Sequence, residues 1–180
     1  MRQILRFLSD RRARFGTLAL LSSLLSGCFV SEQPKFPLSS AAAAFGEGGR
    51  YATLVREGGT FKPDSIMELR HRADGGYDMI DEKGVTAPIS LHAIANGYYV
   101  AQGKTEENRN SYHYVVIKPA RGGAEALLYA PECKAQDTAT LATFGVEVHD
   151  EECVLDHVAD PAGLFAVLSL GKPTSKMVRQ

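Results

Sequence analysis

Between residues 50 and 131 the chain alternates short β-favouring runs with turn signals at close intervals, and this constrains the fold more than any other feature. Candidate strands occupy residues 51–56, 66–72, 77–81, 89–95, 98–102, 112–118 and 124–129. Between them stand Asp74-Gly75-Gly76, Glu82-Lys83-Gly84, Asn96-Gly97, residues 106–110 and Arg121-Gly122-Gly123. Asn96-Gly97 is the sharpest hairpin signal, because both residue types accept the positive φ of a type I′ turn. Connections this short join antiparallel neighbours, since a parallel crossover needs about a dozen residues or more. The region reads as an antiparallel β-meander of about six or seven strands.

A single sheet with one wet face shows clean alternation, yet Tyr114-Val115-Val116-Ile117 and Leu127-Leu128-Tyr129 are apolar on both faces. These strands are expected to face a barrel interior or second layer on one side and a helix on the other. Two helices are available after Pro131. Asp137 is placed to cap residues 138–144, which Gly145 stops, and Asp160-Pro161 opens residues 162–170, which Gly171 stops. Residues 172–180 form a polar end with room for one short strand. The expected fold class is mainly β, an antiparallel meander forming a sandwich or small barrel with two short C-terminal helices. It occupies a single domain over residues 50–180.

Residues 28–49 look different. Pro34, Pro37, the run Ser39-Ser40-Ala41-Ala42-Ala43-Ala44 and Gly46, Gly48 and Gly49 leave few large apolar side chains, so a mobile or extended tether is expected. Residues 1–27 have the layout of an export signal: Arg2, Arg6, Arg11, Arg12 and Arg14 first, then an apolar core over residues 15–25, then Ser26-Gly27. That core is short of the roughly 20 apolar residues that span a bilayer.

Leu25-Ser26-Gly27-Cys28 resembles the lipobox of bacterial lipoproteins. The resemblance implies that residues 1–27 are a signal peptide removed by signal peptidase II. It also implies that Cys28 is the lipid attachment residue, carrying a diacylglyceryl group on sulfur and a palmitate-type acyl chain on its new amino group. A thiolate is the nucleophile that such S-alkylation requires near neutral pH. Several acyl chains together give stable anchoring, at roughly 0.8 kcal/mol per buried CH₂. Because Phe29 follows the cysteine where lipoproteins kept in the inner membrane carry aspartate, the resemblance implies the periplasmic face of an outer membrane. It covers the first 28 residues and carries no information on the folded domain.

Removing the five arginines and one aspartate of residues 1–27 leaves 15 Lys+Arg against 20 Asp+Glu, a formal charge of −5 where the whole chain has −1. No basic run survives, which argues against a nucleic-acid partner. With Cys28 assigned to lipid, Cys133 and Cys153 remain, and an exported protein most simply pairs them. Such a disulfide closes a loop of about 20 residues and stabilises by about 3 kcal/mol. It would clamp the helical tail onto the sheet.

Motifs that carry chemistry are sparse. The stretch Gly97 to Gly103-Lys104-Thr105 is like a phosphate loop, but five residues separate its glycines where that loop needs four. His149, Cys153 and His157 fall at helical spacing beside several acids, which makes His149 and His157 candidate metal ligands. The surrounding residues look extended, so the bridge with surface histidines is the preferred reading and no metal or cofactor is expected. His71, His92 and His113 lie on three candidate strands; if those strands are neighbours the imidazoles could cluster as a ligand or proton-relay site, but half-buried, hydrogen-bonded imidazoles are the expectation. No Gly-x-Ser-x-Gly, His-Glu-x-x-His or Cys-x-x-Cys occurs, so no catalytic residue is assigned. The expected function is a non-enzymatic binding or structural module of the cell envelope, with an envelope protein as partner. One alternative is a lipocalin-like carrier of a small apolar ligand, for which Gly49-Arg50-Tyr51 has some likeness to the Gly-x-Trp start of lipocalins, although the chain contains no tryptophan. The other is a hydrolase without a recognisable motif.

Overall fold

A computed structural model describes residues 28–104 and 110–180. The segment to which the signal peptide was assigned lies outside the described residues, as does the middle of the connection between residues 104 and 110. In chain order the strands are β1 (Phe29–Ser31), β2 (Gly48–Glu57), β3 (Thr60–His71), β4 (Tyr77–Asp81), β5 (Thr86–Ala93), β6 (Tyr99–Gly103), β7 (Tyr112–Pro119) and β8 (Glu125–Tyr129). Then come helix α1 (Thr138–Thr143), β9 (Glu147–His149), β10 (Glu152–Val154), helix α2 (Pro161–Val167) and β11 (Ser175–Arg179).

Strands β2 to β8 form the expected antiparallel meander, and β6 also pairs with β7, so the sheet does not stay open. The final strand β11 enters between β8 and β2 and completes an eight-stranded closed barrel among the described residues. The architecture is thus the barrel of the two anticipated forms. The Asn96-Gly97 turn is as the residue types dictate: Asn96 has φ 61° and Gly97 φ 74°, with Tyr98 N–H donating to Ala95 O at 3.2 Å. Gly48 answers a different need. With φ at 94°, a Cβ there would lie 2.0 Å from the Leu69 carbonyl oxygen on the neighbouring strand, so only glycine fits.

Two cores explain the strands that are apolar on both faces. Val115 and Ile117 of β7 and Ala126 and Leu128 of β8 point into the barrel with Leu69, Met79 and Met177. Tyr114, Val116 and Tyr129 of the same strands point outward into a second core with Phe29, Leu155, Leu164 and Phe165. Asp137 caps α1 by accepting from Thr140 N–H at 2.8 Å, and Asp160 caps α2 by accepting from Gly163 N–H at 2.9 Å. Helix α2 ends earlier than the apolar run suggests, because Leu168 turns to extended backbone while still burying its side chain.

The mobile tether expected over residues 28–49 is not what forms. Phe29, Val30, Phe36 and Phe45 are all buried, and β1 pairs with β7 on one side and with β10 on the other. The backbone of this segment is satisfied by the barrel wall: Ala42 N–H donates to Leu91 O at 2.7 Å and Phe45 N–H to the Tyr77 hydroxyl at 3.1 Å. The segment is poor in apolar residues on average, but Phe29 and Phe36 both pack against Phe165 in the outer core and Phe45 packs against Tyr51 and Tyr77, while Leu38 stays exposed. Composition averaged over a window cannot report that.

Candidate functional site

The barrel interior is the first place to seek a ligand. Its residual cavity is about 20 Å³, lined by apolar side chains that include Met67, Met79, Ile89, Val115 and Met177. That is room for about one water, whereas small-molecule sites enclose roughly 300–1,000 Å³. The interior is a packed core.

The densest polar cluster lies on the outer wall, beneath residues 31–41. His92 of β5 is 2% exposed, with Nδ1 2.9 Å from Ser40 Oγ and Nε2 2.8 Å from Ser90 Oγ. Phe36 stacks on its ring at 4.8 Å between centroids. Burial pushes the imidazole down to about 4, with hydrogen bonding at Ser40 opposing the shift. Next to it, Gln102 Oε1 accepts from Lys35 N–H at 2.7 Å and Phe36 N–H at 3.0 Å, while its Nε2 donates to Phe36 O at 3.0 Å. Tyr114 completes the row, its hydroxyl 2.6 Å from Ser31 Oγ and receiving Lys35 N–H at 3.2 Å. Burial pushes its phenol up to about 12.

A serine against an imidazole is the pairing a hydrolase would use. Here the second ring nitrogen faces Ser90 rather than a carboxylate, and a base near 4 accepts a proton poorly at neutral pH. Ser40 Oγ also donates to Pro37 O at 2.8 Å. The cluster reads chemically as a polar staple that holds residues 31–41 on the wall. Nothing in the sequence near His92 points to Ser40, Gln102 or Tyr114 as members, because their shared backbone partners lie on a segment distant in the chain. His71 packs edge-on against Tyr77 at 5.2 Å and takes no part.

Cys28 lies at a second cluster. It is half-buried, and its backbone is paired at once: the Cys28 carbonyl accepts Cys153 N–H at 2.7 Å. Its Sγ accepts Cys133 N–H at 2.9 Å and its thiol donates to Pro131 O at 3.2 Å. Cys133 and Cys153 form the disulfide anticipated from cysteine counting, with Cα atoms 5.5 Å apart. The residue marked for lipid is therefore tied to both halves of the bridge, a relation that cysteine counting alone does not reveal.

His149 and His157 are brought near one another, each against Glu147: His149 Nε2 is 3.2 Å from one carboxylate oxygen and His157 Nε2 3.4 Å from the other. All three are exposed, and the carboxylate fills the space between the rings. Among the described residues no group of three His, Cys, Asp or Glu side chains is arranged to hold a metal ion. Likewise among the described residues, no helix is long and apolar enough to cross a membrane. Against known proteins, the chain matches no family model, no curated protein and no solved structure.

Proposed function

We propose that the protein is a lipid-anchored envelope lipoprotein whose barrel acts through its outer surface, as a non-enzymatic binding or structural module at the periplasmic face of the outer membrane. The observation that carries the surface part of this reading is the filled interior, whose 20 Å³ cavity leaves no room for a carried molecule. The anchor part rests on residues 1–28 and their lipobox-like end. The chemistry around Cys28 is compatible with it. S-alkylation replaces the thiol proton, so the bond to Pro131 O is lost, while a thioether sulfur still accepts Cys133 N–H. Since residues 29–45 are packed on the domain, such an anchor has no spacer, and the barrel sits directly against the bilayer. The flap β1–β10–β9 ends in an outer strand carrying Glu147, Val148 and His149, all exposed and available to a neighbour.

Two measurements on cells test the reading. Labelled fatty acid is incorporated by the wild type and lost with Cys28→Ser; label that persists in the variant removes the anchor assignment. Crosslinking in the native envelope followed by mass spectrometry recovers a protein partner from the anchored wild type. A correctly anchored protein that crosslinks to nothing rejects the binding module. The carrier reading keeps one favourable observation, an up-and-down barrel whose residual cavity is lined by apolar side chains, three flexible methionines among them. Saturable uptake of an apolar dye by the folded protein would restore it.

A further inference from the structure

A groove of about 370 Å³ opens at one end of the barrel, between the end of β2, the chain entering β11 and the chain leaving β8. Val55, Pro173 and Ala130 supply apolar walls, Thr174 a hydroxyl, and Arg56 and Lys172 the charge. No acidic residue lines it. The acid next along β2, Glu57, is taken by Lys62 at 2.9 Å. Among the described residues neither Arg56 nor Lys172 has a carboxylate partner; the Arg56 guanidinium lies over the Phe61 ring of β3 at 5.6 Å. In a domain of net charge −5 after residues 1–27, an acid-free recess with two cations is a local inversion of sign.

Its position gives that inversion a meaning. Ala130 forms one wall, and the next residue, Pro131, receives the Cys28 thiol at 3.2 Å. The groove therefore begins within roughly 10 Å of the Cys28 sulfur, by the spacing of adjacent residues. Resting on the lipid-anchor reading above, which brings this corner to the bilayer without a spacer, we propose that the groove binds the phosphodiester headgroup of an anionic phospholipid. Arg56 and Lys172 pair with the phosphate and the apolar walls take the glycerol carbons, while the Thr174 hydroxyl is kept by Leu128 O at 3.3 Å. The arrangement sets the orientation of the barrel on the membrane, with a second contact beside the covalent one. An amine-bearing zwitterionic headgroup brings its own cation against Arg56 and Lys172 and fits less well.

The test uses the full chain in non-ionic detergent, so that it does not depend on acylation. Acetylation of Lys172 is followed by mass spectrometry while a water-soluble short-chain phosphatidylglycerol is titrated in, with Lys118, outside the groove, as internal reference. Phosphatidylglycerol is expected to slow modification at Lys172 alone, and Arg56→Gln to weaken that protection about fivefold, the effect of one cation at an anionic lipid surface. Equal protection by short-chain phosphatidylcholine overturns anion recognition. Equal protection by inorganic phosphate assigns the groove to a free phosphate and overturns the lipid. No protection by any of the three overturns the site. The fatty-acid labelling of Cys28 reports on the anchor independently, so either assignment can fail without the other.

Discussion

His92 is predicted to make the fold acid-sensitive in a specific window. The imidazole titrates near 6.5 when exposed, and in the folded wall burial pushes it down to about 4. Below about pH 6.5 the unfolded chain binds a proton that the folded chain still refuses. Stability from this group is therefore complete above 6.5, falls as the pH drops toward 4, and is constant below that. At about 1.4 kcal/mol for each tenfold loss of proton affinity, the full loss is about 3 kcal/mol, and about 2.5 kcal/mol of it falls between pH 7.5 and 4.5. The side chain is 2% exposed, with Phe36, Ser40, Ser90 and Gln102 around it, so solvent screening removes little of that figure. The assay is urea unfolding at both pH values on the wild type and on His92→Gln. The variant cannot take up a proton there but keeps every carboxylate, so the acid sensitivity of those groups cancels between the two proteins. Its own constant cost, from lost stacking and hydrogen bonds, is about 1–3 kcal/mol at either pH. The wild type is expected to lose about 2.5 kcal/mol more than the variant on acidification. Parallel losses would refute the reasoning, because they mean that the folded wall admits the proton.

Three further perturbations separate elements of the fold. Phe36→Ala is expected to cost about 3 kcal/mol in denaturant unfolding, since its ring packs with His92, Tyr114 and Phe165; a change near zero would return residues 28–49 to the status of a loose tether. Gly48→Ala is expected to cost well over about 1 kcal/mol and lower the melting temperature markedly, whereas Gly59→Ala, also at positive φ but with nothing within 4 Å of its Cβ, should cost far less. Reduction of Cys133–Cys153 is expected to remove about 3 kcal/mol and to speed amide exchange in β9 and β10 before the barrel strands; uniform exchange would show that the flap is held without the bridge.

Much of this architecture could be read locally. The strands of the meander, the positive φ at Asn96-Gly97 and the caps at Asp137 and Asp160 follow from side chains within a few residues of where they act. The alternation in β7 and β8 even announced two cores, because Val115 and Val116 must bury on opposite faces. The disulfide followed from having two cysteines left to pair.

What tertiary structure alone decided has a common cause: it depends on partners distant in the chain. Strand β11 is a polar tail in isolation, and its single large inward residue, Met177, carries no visible instruction. It closes the barrel because β8 and β2 both leave an unpaired edge that only a late segment can fill, and burying those backbone groups unpaired would be costly. Phe36 and Phe45 are isolated in a small-residue stretch until the barrel wall offers them pockets. Whether the interior is empty or full depends on how Met67, Met79 and Met177 meet from three strands, and the groove of Arg56 and Lys172 exists only where β2 meets the entry to β11. Local sequence sets the strands of the meander and most of their turns, and it carries a lipobox-like end at Cys28. Closure, the filled core and the surfaces left for function were decided by long-range pairing and packing, whose energy no local stretch contains.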